Sequence, residues 1–108
     1  MLTVLRIDRW DPRREGPFTE DALRRKVQAA CGYEVCTQAW PAGTIVPAHT
    51  QERERVDAVL AGMVRITLDD ESAILTAGDM VYVPRGAVLQ VEVVGSQTAH
   101  CLDALPPR

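Results

Sequence analysis

The sequence predicts an all-β domain preceded by one short α-helix, and three observations carry that expectation. From Tyr33 onward, short runs of Val, Ile, Leu and Thr recur between Gly, Pro and Asp turns. That spacing belongs to a sandwich or barrel rather than to a parallel α/β sheet. One segment, between Thr19 and Gly32, has helical apolar spacing instead. A length of 108 residues allows one core and no second domain, so residues 1–108 read as one unit. Within it, 1–32 hold an N-terminal strand and helix, and 33–105 hold the β-domain.

Leu2 to Arg9 reads as an edge strand, followed by the breaker-rich stretch Asp11, Pro12, Gly16 and Pro17. The helix has Thr19 as N-cap, Glu20 and Asp21 in its first turn, and Gly32 as its stop. Leu23, Val27 and Ala30 form its apolar stripe, so it should dock on a sheet. Strands are expected at Tyr33–Trp40, Thr44–Ala48, Val56–Ala61, Val64–Leu68, Ser72–Leu75, Met80–Val83, Val88–Val94 and Ala99–Asp103. Pro41-Ala42-Gly43, Asp69-Asp70-Glu71, Ala77-Gly78-Asp79, Pro84-Arg85-Gly86 and Gly95-Ser96 supply turns.

Composition excludes several function classes. A net charge of −3 with interspersed signs argues against a nucleic-acid partner, which needs a concentrated Lys/Arg surface. Arg24, Arg25 and Lys26 read as the solvated face of the helix. No apolar run approaches the ~20 residues of a membrane helix. The first residues lack the pattern of a secretory signal, so a cytoplasmic location is expected. Cys31, Cys36 and Cys101, odd in number and without a CxxC pair, read as reduced, packed thiols.

Two segments, GTIVPAHTQERERVDAVLAG (Gly43 to Gly62) and GDMVYVPRGAVL (Gly78 to Leu89), resemble the two signature motifs of the cupin family. Gly43, His49, Gly62, Gly78, Pro84 and Gly86 match at the family's spacing, as does the short hairpin between the motifs. The resemblance covers about two thirds of the chain. It implies a jelly-roll β-barrel (a double-stranded β-helix) of the RmlC-like type, in which a metal is held by three histidines and a glutamate. Here only His49 remains of that set. Gln51, Arg55 and Leu89 stand at the other ligand positions, and Val93 stands at the motif's last position. A guanidinium repels a cation and an aliphatic side chain donates nothing, so no metal or other cofactor is expected at the usual place. A divalent metal would need a rearranged site drawing on His49 with Glu52, Glu54 or His100.

Two registers are open for the strand that follows. Family spacing turns Arg55 and Asp57 inward. Simple alternation instead gives Val56, Ala58 and Leu60 to the core, with Arg55 and Asp57 toward water and Glu54 inward. In LQVEV, Leu89, Val91 and Val93 share one face. With the first register the mouth would gather His49, Gln51, Arg55 and Asp57, backed by Leu89 and Tyr82. Such a pocket suits a small metabolite, and Arg55 would suit an anionic one. The leading reading is therefore a binding module for a small-molecule ligand. The alternative is an enzyme, either metal-dependent through rearranged ligands or a metal-free isomerase or lyase. In the metal-free case His49 would act as general base, oriented by Asp57. Small cupins commonly pair, so a homodimer is expected, with Val88, Val94, Trp10 and the Leu2–Arg9 edge as candidate contacts.

Overall fold

The computed structural model describes residues 5–106. The predicted strand at Leu2–Arg9 falls partly outside them, and what is described of it is short: β1 is Ile7–Asp8. The stretch read only as breakers, Asp11 to Pro17, contains a one-turn helix, α1 (Pro12–Glu15). Its capping is reciprocal: Asp11 accepts from the Arg13 N–H at 3.0 Å, and Glu15 accepts from the Asp11 N–H at 2.7 Å. Pro12 fits the first turn because no intrahelical donor is needed there. The main helix α2 (Glu20–Cys31) begins on Thr19, whose hydroxyl accepts from the Ala22 N–H at 3.0 Å, and stops at Gly32 with φ 76°.

Eight strands follow: β2 (Val35–Trp40), β3 (Ile45–Thr50), β4 (Arg55–Ala61), β5 (Val64–Leu68), β6 (Glu71–Leu75), β7 (Met80–Val83), β8 (Val88–Val93) and β9 (Ala99–Ala104). They form two antiparallel sheets, one in the order β1-β7-β4-β9-β2 and the other β3-β8-β5-β6. The chain crosses between the sheets at almost every connection, which is jelly-roll topology. The sheets face each other as a sandwich and do not join into the closed barrel that was expected.

Two cores result. Val64, Ile66, Leu68, Leu75, Val81, Val83, Leu89 and Val91 fill the space between the sheets. On the outer side of the five-stranded sheet, Leu23 and Val27 of α2 pack fully buried on Val56, Ala58, Leu102 and Ala104. Strand β4 is therefore covered on both sides. Val56 and Ala58 do face a core, as alternation suggests, but it is the one under the helix. Arg55, Asp57 and Val59 face the other sheet, as the family register requires.

The stretch from Asp8 to Phe18 is pinned down rather than free. Trp10 meets Phe18 edge-to-face at 5.4 Å between ring centroids, and its indole N–H donates to the Gly16 carbonyl at 2.9 Å. Lys26 lies over the same ring and is paired with Asp8 at 2.9 Å and Glu15 at 2.8 Å. Gly78 makes room for this staple, since a Cβ there would fall 2.7 Å from the Trp10 Cβ. Trp10, a candidate subunit contact in the sequence, is half-buried and engaged within its own chain.

Candidate binding site at the mouth of the sandwich

The first motif runs through β3 into β4, and a bulge between Val46 and His49 brings His49 level with Leu89 of β8. The His49 ring is fixed from both sides. Its Nδ1 lies 3.0 Å from the Pro47 carbonyl, and its Nε2 lies 2.9 Å from Nε2 of Gln51. A carbonyl only accepts, so Nδ1 carries the proton and the Gln51 amide donates to the lone pair on Nε2. Gln51 is itself buried. Its backbone N–H donates to the Ala87 carbonyl at 2.9 Å, and its carbonyl accepts from the Gly86 N–H at 2.9 Å. The turn of the second motif therefore holds the polar pair of the first.

Arg55 enters the space between the sheets and meets two carboxylates. Its Nε and one terminal nitrogen grip Asp57 at 2.8–3.1 Å, and the same terminal nitrogen reaches Asp103 at 3.2 Å. Asp57 and Asp103 stand directly opposite each other on β4 and β9. Burial raises the pKa of both above the ordinary carboxylate value. Arg55 opposes the rise in each case, and for Asp103 Gln38 does so as well. One oxygen of Asp103, Oδ1, is buried without a hydrogen-bond partner among the described residues. Asp103 borders a cavity of about 20 Å³ lined in part by Trp40, Asp57 and Cys101, which is room for about one water molecule.

The interior is otherwise filled. Leu89 is 2% exposed and forms part of the packed core. An open hollow of about 270 Å³ lies at the mouth, lined by His49, Thr50, Gln51, Arg53, Arg55 and Leu105 along with Glu52. Arg53 also donates to the Pro106 carbonyl, tying the segment after β9 across the rim.

Of the residues singled out in the sequence, His49, Gln51 and Arg55 line this hollow, with Asp57 and Leu89 deeper in. Asp57 is engaged by Arg55, not by His49, so the expected His–Asp pair is not formed. Tyr82 does not back the pocket. It pairs across the sheet with Val56, so its ring lies on the outer face, 47% exposed, while Val81 and Val83 point inward. Its hydroxyl donates to Glu54 at 2.9 Å, and Tyr33 donates to the same carboxylate at 3.3 Å. His100 is level with Ala61, at the far end of β4 from Glu54. Seven residues of strand put them roughly 23 Å apart along the sheet. Asp103, Arg53 and Leu105 were missed by sequence reasoning. Continuing the alternation through AHCLDA would have found Asp103, because Leu102 and Ala104 take the helix side.

All three cysteines are free thiols. Cys101 lies between the sheets, where burial, with Asp57 and Asp103 nearby, pushes its thiol from 9.0 up to about 12. An acid whose pKa is raised by folding opposes ionisation in the native state. Stability should therefore be unaffected by this group below pH 9 and fall by about 1.4 kcal/mol per pH unit above it. Urea melts between pH 9 and 10, below the range where Tyr33 and Tyr82 add a loss of the same sign, should show it in the protein and not in Cys101→Ala. A thiol reagent at pH 8 should label Cys36, which is exposed, and spare Cys101 until the protein unfolds.

With this geometry established, comparisons with known proteins can be weighed. The cupin domain family matches residues 37–105. Among curated proteins none matches the chain. AerE from Microcystis aeruginosa superposes with a TM-score of 0.65 at 22% identity, over 70% of this chain and 36% of its own. The TT1209 protein from Thermus thermophilus does so with a TM-score of 0.58 at 26% identity, over 66% of this chain and 70% of its own. An RmlC-like cupin from Shewanella frigidimarina gives 0.60 at 20% identity, over 70% and 68%. This chain thus spans little more than a third of AerE and about two thirds of the other two. The two glycine-anchored motifs, the two facing sheets and the match over most of the described strands agree: the chain belongs to the cupin family.

Proposed function

We propose that this cupin is a metal-independent binding module that takes a small polar ligand in the mouth hollow, not in the centre of the sandwich. One observation carries the reading. The side chains at the family's metal-ligand positions have been put to other uses, Arg55 in an ion cluster with Asp57 and Asp103 and Leu89 in the apolar core. A cation placed there would face a guanidinium, an aliphatic wall and one imidazole whose lone pair is already taken. That donor set does not fit a transition metal. The same bond occupies the atom with which His49 would abstract a proton, which speaks for binding over catalysis.

The ligand's charge is read differently from the sequence expectation. Arg55 is neutralised by two carboxylates and has no fork left for an anion. Among the described residues Arg53 meets only the Pro106 carbonyl, so an acidic group on the ligand is assigned to Arg53 at the rim. Titration calorimetry with small mono- and dicarboxylates and inorganic phosphate tests this. Saturable binding should survive a chelator and weaken at least tenfold in Arg53→Ala, the expected cost of losing a charge-assisted hydrogen bond. Stoichiometric transition metal in protein purified without chelator, or anion binding unchanged in Arg53→Ala, would overturn the proposal.

A further inference from the structure

On the basis that Arg53 takes an acidic group, as proposed above, we infer that the ligand also carries an ammonium, as a free α-amino acid does. Glu54 holds the ammonium, and Arg85 shares the acid with Arg53. The place is a second open hollow, of about 260 Å³, which has Glu52 and Arg53 in common with the one at the mouth. Glu54, Arg85 and Pro106 complete its lining. The mouth hollow, with His49 and Leu105, is then left to the side chain of the amino acid.

The groups of this second hollow come from both motifs and are set by contacts already described. Arg85 lies in the Pro84-Arg85-Gly86 turn, which is clasped to Gln51 by two backbone hydrogen bonds of 2.9 Å, from Gly86 and to Ala87. Its side chain is exposed and meets no acid among the described residues. Glu54 is oriented by two phenols, Tyr82 at 2.9 Å on one oxygen and Tyr33 at 3.3 Å on the other. A carboxylate has about four acceptor sites, so it can still take an N–H donor. Glu52 is exposed and has no partner among the described residues. Arg53 gives an N–H to the Pro106 carbonyl and keeps its others for the acid. Two guanidiniums and two carboxylates thus line one hollow, yet no ion pair among the described residues joins them. A plain anion such as phosphate would face Glu52 and Glu54 there, and a plain cation would face Arg53 and Arg85. A molecule bearing both signs close together meets each group with its opposite.

Titration calorimetry with the common amino acids, each beside its deaminated and its decarboxylated counterpart (propionate and ethylamine for alanine), tests this. At least one amino acid should bind saturably, and either counterpart should bind at least tenfold more weakly, the cost of a lost charge-assisted hydrogen bond. Arg85→Ala should weaken the amino acid and the deaminated acid alike. Glu54→Gln should weaken the amino acid at least tenfold and leave the deaminated acid unchanged. Arg85 has no partner to lose, so its variant should keep the denaturation midpoint of the native protein, and the counterpart ligands test the ammonium without any substitution. A deaminated acid that binds as tightly as its amino acid would overturn the inference and leave the acid on Arg53 standing. An amine that does so, or binding indifferent to either substitution, would overturn it as well. Failure of every carboxylate, with or without an amine, would remove the anion reading of the mouth together with this one.

Discussion

Replacing Arg55 by methionine should destabilise the fold by about 3–5 kcal/mol at neutral pH, the usual cost of removing one partner from a buried ion cluster. The loss arises from what remains: Asp57 and Asp103, opposed on adjacent strands, with no cation between them. In the native protein the pKa values of both already lie above the ordinary value because of burial, with Arg55 working against that rise. Without Arg55 they rise further. The folded state then binds more protons than the unfolded chain over a wider range above pH 4, so stability falls more steeply as pH increases. The gap between variant and native protein should narrow on acidification toward pH 4. Urea denaturation at pH 7, 5.5 and 4 measures this, and a gap that stays constant would mean the carboxylates are not coupled to Arg55. Exchanging all three charged residues for apolar ones of similar volume should recover much of the loss.

Truncating Leu89 to alanine should cost about 2–5 kcal/mol, the range for deleting a buried leucine. Its position gives the substitution a second effect. Leu89 lies level with His49, between the mouth hollow and the packed interior. The truncation would extend the hollow inward along an apolar wall. Enhanced fluorescence of an apolar dye at concentrations where the native protein leaves it dark, together with a lowered denaturation midpoint, would show both consequences. A loss below about 1 kcal/mol with no dye binding would mean that the neighbouring Val91 and Ala87 collapse into the space.

Much of the fold was legible in the sequence because its signals are local. Thr19 and Gly32 bound the helix, and the glycines of the two motifs fix where the strands reverse. The one-turn helix α1 escaped because Pro12 and Gly16 read as breakers, although the Asp11–Glu15 capping pair was there to be seen. Strand β4 was ambiguous for a physical reason: alternation names a face, and a strand covered on both sides has two apolar environments to choose between. The sequence left both registers open, and the structure has the one that the family spacing requires. At the mouth, the family motif positions named His49, Gln51 and Arg55, which do line one hollow, but not the partners that decide what they do. Arg55 looked like an anion fork because Asp103, far along the chain, was not seen to face it. Tyr82 was assigned to the pocket although the period of MVYV turns it away.

The two-sided covering of β4 fixes the phase of that strand whatever the length of the segment before it. A slip by one residue would bring Val56 beside Asp103 and drag Asp57 beneath the helix. A residue gained or lost between Gln51 and Arg55 is therefore absorbed by the loop, and the strand should keep its partners when that loop changes length by one.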